Sequence, residues 1–178
     1  VVVGIADAAD RAFDASRSET LCVANRRVLR AAIAVMHNAA GIGPSVQRLL
    51  TGEDGRDASF AKPLAVAAHG GRVYVADTEA RRIFVFDLPR RRTFSFGLRL
   101  EGELKKPAGI ALDREGRVYV VDATARRVVV FDALGLFLGQ IDGSRRWVRP
   151  SAVAVSAAGD RIHVVDTGGV ESEQHRVW

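Results

Sequence analysis

A repeated segment constrains the fold of this 178-residue chain more than any other feature of its sequence. Residues 73–77 (VYVAD) recur as residues 118–122 (VYVVD) and again as residues 162–166 (IHVVD), so the closing aspartates lie 45 and then 44 positions apart. A nearly constant shift of this kind indicates a repeat array, in which each unit is stabilised by contact with its neighbours. We therefore expect several copies of one small unit rather than a single continuous core.

Two further markers follow the same shift. Pro63, Pro107 and Pro150 each come directly after a basic residue, and residues 81–87 (RRIFVFD) match residues 126–132 (RRVVVFD). Proline suits the first position of a strand because it has no N–H group to leave unpaired. The markers predict a unit of four strands, a to d, in which strand a follows the proline and strand b ends at the aspartate.

The hydrophobic pattern of the central strands predicts how these units are arranged. Strands b and c are apolar at nearly every position, whereas a sheet with one solvated face would alternate apolar and polar residues. Sheets that are covered on both faces, in units of about 40–50 residues, are typical of β-propeller blades. The fold predicted is all-β. The predicted strands are a at 108–112, b at 73–76 and 118–121, c at 83–86 and 128–131, and d at 93–96 and 136–141.

The pattern K-P-x-x-[IV]-A, then G-R-V-Y-V-[AV]-D, then R-R-[IV]-x-V-F-D resembles the NHL repeat, a β-propeller module. The resemblance covers about two-thirds of the chain and implies a partial propeller with blades at 58–101, 102–144 and 145–178. The third copy departs from the pattern, because residues are inserted after Thr167 and the copy stops about two residues into strand c. Since a six-bladed ring needs roughly 260 residues, we expect this chain to be a piece of one.

No repeat copy is visible in residues 1–57, which carry seven basic and seven acidic residues, so the net charge of +5 lies in the repeats. Apolar residues at helical spacing predict an amphipathic helix over residues 19–40, packed on the propeller. The sequence also allows two alternatives: that residues 1–57 are a poorly ordered leader, or that residues 46–50 form the outermost strand of a preceding blade.

The motifs for catalysis are weak. NHL propellers resemble, among others, lyases that bind zinc through histidines of different blades, one of them four residues after the aspartate of strand b. Here Arg81 and Arg126 occupy that position, and an arginine cannot bind zinc; His175 is the one histidine that corresponds. There is no G-x-S-x-G, H-E-x-x-H or P-loop motif,. We expect no catalytic residue, metal or cofactor, and we expect His163, which replaces a tyrosine of strand b, to lie in the core.

Basic residues repeat at one end of the predicted blades. In a four-strand meander the b–c and d–a loops emerge at the same end, and basic rims there suit phosphates, carboxylates or acidic protein surfaces. The strand-b aspartates Asp77, Asp122 and Asp166 are expected to accept hydrogen bonds from their turns. The candidate binding residues of this basic face are Lys62, Arg81, Lys106, Arg126, Arg149 and His175.

These features predict a non-catalytic scaffold that binds a protein or a small anionic ligand. The alternatives are a lyase- or hydrolase-like metal-binding propeller enzyme and an NHL domain that binds RNA, although no exposed aromatic residues are interleaved with the basic ones to stack on bases. An open arc of blades predicts self-association. No stretch of the sequence is suited to a transmembrane helix, and the compartment stays open between the exported or periplasmic and the cytoplasmic alternatives.

Overall fold

The computed structural model describes residues 19–22, 60–169 and 175–178, and β-strands form nearly all of their regular structure. The first sheet has the order β1-β2-β3-β4-β5, the second β6-β7-β8-β9 and the third β10-β11-β12, all antiparallel. The first sheet consists of β1 (Glu19–Cys22), β2 (Pro63–His69), β3 (Arg72–Asp77), β4 (Arg82–Asp87) and β5 (Arg92–Phe96). The second consists of β6 (Pro107–Leu112), β7 (Val118–Asp122), β8 (Arg127–Phe131) and β9 (Phe137–Asp142). The third consists of β10 (Pro150–Val155), β11 (Ile162–Asp166) and β12 (Arg176–Val177).

The sheets confirm the predicted all-β fold of four-stranded propeller blades. Strands β2 to β5 form blade 1, β6 to β9 form blade 2, and β10 to β12 form strands a, b and the start of c of blade 3. The predicted strands match the observed ones to within one residue at each end. A single 3-10 turn, Leu100–Gly102, lies in the loop that joins blades 1 and 2.

The predicted helix over residues 19–40 is wrong at its start, because Glu19–Cys22 is a strand. It pairs antiparallel with β2, with Glu19 opposite Ala68. An unpaired sheet edge offers a row of backbone hydrogen bonds, whereas a short helix in water is only marginally stable. Residues 23–40 and the alternative strand at 46–50 lie outside the described residues.

Blade 2 is covered on both faces, as the hydrophobic pattern predicts. Along β7, Val118 and Val120 belong to a core cluster with blade 1, while Tyr119 and Val121 belong to a second cluster with blade 3. All four side chains are at most 3% exposed. Successive side chains of the strand point to opposite faces of the sheet, and here each face packs against a neighbouring blade instead of one face lying in solvent.

Blade 3 has one covered face among the described residues. Val164 is 2% exposed, whereas its neighbours His163 and Val165 point to solvent. The expectation that His163 lies in the core is therefore wrong. Its counterparts Tyr74 and Tyr119 are buried because another blade packs on that side of their sheets. No described helix is long and apolar enough to cross a membrane.

The first strands of neighbouring blades approach each other closely. A Cβ atom added at Gly109 of β6 would lie 2.8 Å from the Cα atom of Ala152 in β10, so the two backbones meet where only glycine fits. Each of these first strands also starts with a shift in pairing register directly after its proline. A shift of this kind interrupts the regular pairing at the start of the strand.

Candidate functional site

The aspartate that ends strand b fixes the loop that precedes strand a of the same blade. In blade 1, the carboxylate of Asp77 accepts the backbone N–H groups of Ala61 at 2.7 Å and Lys62 at 2.8 Å. It also accepts the N–H of Ala80, in its own b–c turn, at 3.0 Å. The carbonyl oxygen of Lys62 accepts the N–H of Thr78 at 2.9 Å. The d–a loop and the b–c turn are thereby joined at one end of the blade.

The same arrangement, called here the aspartate clasp, recurs in the other two blades. Asp122 accepts the N–H groups of Lys105 and Lys106 at 2.9 Å each. Asp166 accepts those of Val148 at 2.8 Å and Arg149 at 2.7 Å. All three aspartates are at most 3% exposed. The clasp extends the predicted turn role of these residues, because each carboxylate bonds to a loop 15 to 18 positions away as well as to its own turn.

The hydrogen bonds of the clasp in blade 3 lower the pKa of its aspartate. Burial by itself would raise the pKa of the Asp166 carboxyl, but the N–H groups of Val148, Arg149 and Gly168 more than offset it. The pKa therefore lies below its ordinary value, and Asp166 is ionised in neutral solution. An ionised, buried acceptor binds backbone donors strongly, so the loop before strand a is held rigidly.

The clasps bring the predicted binding residues together in pairs. Lys62 and Arg81 lie at the same end of blade 1, Lys106 and Arg126 at that end of blade 2, and all four side chains are exposed. In blade 3 the exposed Arg149 lies in the clasped loop, and the exposed His175 directly precedes β12. The sequence-predicted basic face is thus carried by one end of every described blade.

The two arginines of the b–c turns have an unusual backbone conformation. Arg81 has a φ of 53° and Arg126 a φ of 52°, in the left-handed region that glycine adopts more readily. Residues other than glycine in this region cost about 1 kcal/mol or more. Arginine therefore occupies a turn position where glycine would be less strained, at the same place in two blades.

The opposite end carries its own buried carboxylates, which sequence reasoning did not single out. Asp87 pairs with Arg72 at 3.0 Å, Arg90 at 3.4 Å and Arg92 at 3.6 Å. Burial raises the pKa of the Asp87 carboxyl, but the hydrogen bond from Arg72 and the nearby arginines lower it below its ordinary range. The three arginines around this buried carboxylate stabilise the turn and keep the carboxylate ionised at neutral pH.

Asp113 organises a second cluster at this end, between blades 2 and 3. Its carboxylate accepts the Nε–H of Arg117 at 2.6 Å and the hydroxyl of Tyr119 at 3.0 Å. Burial, followed by the hydrogen bond to Asp113, raises the pKa of Tyr119. Arg117 also donates to the carbonyl oxygen of Ala158 in blade 3, at 3.4 Å. The cluster therefore joins two blades, and the only signal of it in sequence is the D-R-E-G-R-V-Y segment.

An open, mostly apolar cavity of about 710 Å³ lies between blades 1 and 2. The rings of Phe96 and Phe131 line it, with centroids 4.8 Å apart, and the glycines beside them allow close contact. No group of three His, Cys, Asp or Glu side chains that could hold a metal ion occurs in the described part of the chain. The residues lining the cavity are Ser95, Phe96, Gly97, Leu98, Arg99, Leu100, Glu101, Gly102, Phe131, Gly135, Leu136 and Phe137.

Comparison with known proteins yields one family and several solved structures. A family model described as SMP-30/Gluconolactonase/LRE-like region matches residues 53–166, which is more than half of the chain. No curated protein matches the sequence.

The solved structures are similar over part of their length. A luciferin-regenerating enzyme is 16% identical with a TM-score of 0.47, over 60% of this chain and 40% of that one. A streptogramin B lyase is 13% identical with a TM-score of 0.43, over 61% and 37%. A virginiamycin B lyase from Staphylococcus aureus is 12% identical with a TM-score of 0.46, over 60% and 37%. The match thus spans about two-fifths of the length of these chains.

Proposed function

The chain belongs to the SMP-30/gluconolactonase/LRE-like family, and from that premise we propose that it is part of a propeller that binds an anionic ligand. The full-length protein closes its blades into a six-bladed ring of NHL type. The end of the ring that carries the b–c turns contacts a carboxylate- or phosphate-bearing molecule, or an acidic protein surface. The blades act as a rigid scaffold, and Lys62, Arg81, Lys106, Arg126, Arg149 and His175 are the contacts.

The aspartate clasp is the observation that supports this proposal best. In each described blade it fixes the residue before the proline through both its N–H and its carbonyl group. The cationic side chain of that residue stays exposed. A ligand that binds to a preformed array of charges loses less free energy to ordering of the loops. The same construction in three successive blades favours a role for the whole end of the ring.

A charge-matched comparison in the full-length protein tests the proposal. The triple variant R81A/K106A/R126A removes three exposed cations from the clasped end, and the control R91A/R114A/R161A removes three from the opposite end. Calorimetric titration with phosphate, citrate and an acidic peptide measures affinity for each class of anion. We expect the first variant to bind at least tenfold more weakly and the control to be unchanged. Equal affinity of both variants and the parent protein would refute a site at the clasped end.

A second candidate is an enzyme, and the family match favours it because the family description includes gluconolactonase. The described residues contain no cluster suited to a divalent metal. A metal-dependent hydrolase or lyase would therefore need ligands from other parts of the full-length protein. Metal analysis together with an assay for opening of an aldonolactone ring tests this candidate. A stoichiometric metal ion and metal-dependent turnover would favour the enzyme over the scaffold.

A further inference from the structure

We propose that the anion site is concentrated in one quadrant of the clasped end and that its ligand is a small phosphate-bearing molecule. This quadrant consists of the b–c turn of blade 2, the clasped loop before it, and residues 143–149, which we call the arginine turn. The inference rests on the proposed function and adds Arg145 and Arg146 to the candidate binding residues.

The arginine turn is rigid although it contains no strand. The carbonyl oxygen of Gly143 accepts the N–H groups of Arg146 at 2.9 Å and Trp147 at 2.7 Å. Trp147 is 6% exposed and belongs to the core cluster between blades 2 and 3. A Cβ atom at Gly143 would overlap its indole ring, so the ring lies directly against the glycine backbone. Arg145 and Arg146 are therefore presented from a turn anchored in the core.

Hydrogen bonds connect this turn to the two neighbouring clasps. The N–H of Gly143 donates to the carbonyl oxygen of Arg126 at 2.9 Å. At the other end of the turn, Val148 and Arg149 donate to the carboxylate of Asp166. The arginine turn thus lies between the b–c turn of blade 2 and the clasp of blade 3. Cations from three segments of the chain converge on this quadrant.

The cations of the quadrant have no direct acidic partner in the part of the chain that the structure describes. The side chains of its six cations make no ion pair or hydrogen bond within the described residues. In blade 1, by contrast, Lys62 pairs with Glu79 at 3.4 Å, and the position equivalent to Glu79 is Thr124 in blade 2 and Gly168 in blade 3. The exposed cations of the quadrant are Lys105, Lys106, Arg126, Arg145, Arg146 and Arg149.

One exposed carboxylate, that of Asp142, interacts electrostatically with Arg145 and Arg126 of the quadrant. Asp142 accepts the backbone N–H of Ser144 at 2.9 Å and its hydroxyl at 3.1 Å. These bonds, with the nearby Arg145 and Arg126, hold the pKa of Asp142 below its ordinary value. The clasp aspartates Asp122 and Asp166 are buried and already bonded to backbone donors. Asp142 is thus an exposed acid that interacts with these arginines, and a bound ligand would compete with it.

The residue types in the quadrant favour phosphate over other anions. Four of the six cations are arginines, whose planar guanidinium groups form paired hydrogen bonds with phosphate oxygens. Several cations carried by adjoining loops match the two negative charges of a phosphate better than the single charge of a carboxylate. Trp147 is buried and cannot stack on a base, and such stacking supplies much of the affinity for single-stranded nucleic acid. A small phosphorylated molecule therefore fits better than RNA.

Three variants of the full-length protein test the site, with pyrophosphate as the probe in calorimetric titration. We expect R145Q/R146Q to weaken binding at least tenfold, and the control R114Q/R161Q, at the opposite end, to stay within twofold of the parent protein. D142N should bind more tightly, because it removes the competing charge. All substituted side chains are exposed, and thermal unfolding of each variant verifies that the fold is retained.

The outcomes separate this inference from the proposed function. If R145Q/R146Q binds normally while R81A/K106A/R126A does not, the anion site exists but the arginine turn is not part of it. If citrate or a single-stranded oligouridylate binds more tightly than pyrophosphate, the ligand class is wrong. If no anion binds the parent protein, the proposed function fails together with the inference.

Discussion

The carboxylate of Asp122 accepts the backbone N–H of Lys106 at 2.9 Å across 16 positions of sequence. The same carboxylate accepts the N–H of Lys105, and it is fully buried. One side chain thus replaces the water that would otherwise solvate two loop amides. Equivalent bonds in blades 1 and 3 make this relationship the common element of the clasped end.

We expect Asp122→Asn to lower the free energy of unfolding by about 2–4 kcal/mol. The substitution removes the charge from these hydrogen bonds and places the NH2 group of asparagine, which cannot accept, against a backbone N–H. Urea denaturation measures the change. Asp142→Asn is the matched control, because Asp142 is exposed and bonds only within its own turn; its cost should stay below about 1 kcal/mol. Equal costs at the two positions would contradict the importance of the clasp.

The clasp should also make stability depend on acid. Because the pKa of Asp166 is lowered in the folded protein, its contribution is fully present above the unfolded pKa of about 3.9 and is lost as the pH falls through the folded value. We expect the urea concentration at which half of the parent protein is unfolded to decrease as the pH is lowered below about 4. The variant Asp166→Asn should start lower and show a shallower decrease over the same range. Parallel curves for the two proteins would show that Asp166 does not contribute.

The tyrosines of strand b should differ in their contribution to stability. Tyr74 donates its hydroxyl to the carbonyl oxygen of Ala133 at 3.1 Å, whereas Tyr119 donates to the carboxylate of Asp113 at 3.0 Å. A bond to a charged acceptor is worth about 1.5–3 kcal/mol and a neutral one about 1 kcal/mol. Tyr119→Phe should therefore destabilise the protein more than Tyr74→Phe in chemical denaturation. The reverse order would be evidence against a strong bond from the hydroxyl of Tyr119 to Asp113.

The strained turn arginines should separate stability from binding. We expect Arg126→Gly to leave the free energy of unfolding unchanged or to raise it by up to about 1 kcal/mol, because glycine adopts a positive φ without strain. The same variant should bind anions more weakly. The control Arg145→Gly, at a residue without a positive φ, should lose stability or stay neutral. A marked loss of stability in Arg126→Gly would mean that its side chain has a structural role.

The contact between β6 and β10 predicts a steric effect. In Gly109→Ala the added Cβ would lie 2.8 Å from the Cα atom of Ala152, and we expect a loss of about 1–3 kcal/mol from overpacking. Gly139→Ala is the matched control, since nothing lies within 4 Å of its Cβ position. Thermal unfolding compares the two. Similar melting temperatures would show that the strands separate without cost.

The repeats made the fold predictable, because the same strand pattern occurs in the same order in two segments that lie 45 residues apart. The apolar run of β7 also indicated the two covered faces, one with Val118 and one with Tyr119. The prediction that His163 is buried is wrong, although its position in the repeat matches that of a buried tyrosine. Burial at this position depends on what packs beside blade 3, which the repeat pattern does not show.

The site was less accessible to sequence reasoning. Asp122 reads as a turn residue, and its bonds to Lys105 and Lys106 depend on how the blade closes. The arginine turn leaves no periodic signal, since Trp147 and Gly143 meet only in three dimensions. The strand at Glu19–Cys22 forms because it pairs with the edge strand β2. The local sequence of the segment does not show that such a partner exists.

The carboxylate of each aspartate clasp bonds to two loops at one end of a single blade. Each blade therefore carries its own support for the surface it displays. Substitutions of an exposed side chain in one b–c turn can change what that blade recognises while its buried clasp stays intact. A gene that duplicates such a unit gains an additional contact element already formed, and ligand preference can then diversify blade by blade while the ring keeps its geometry.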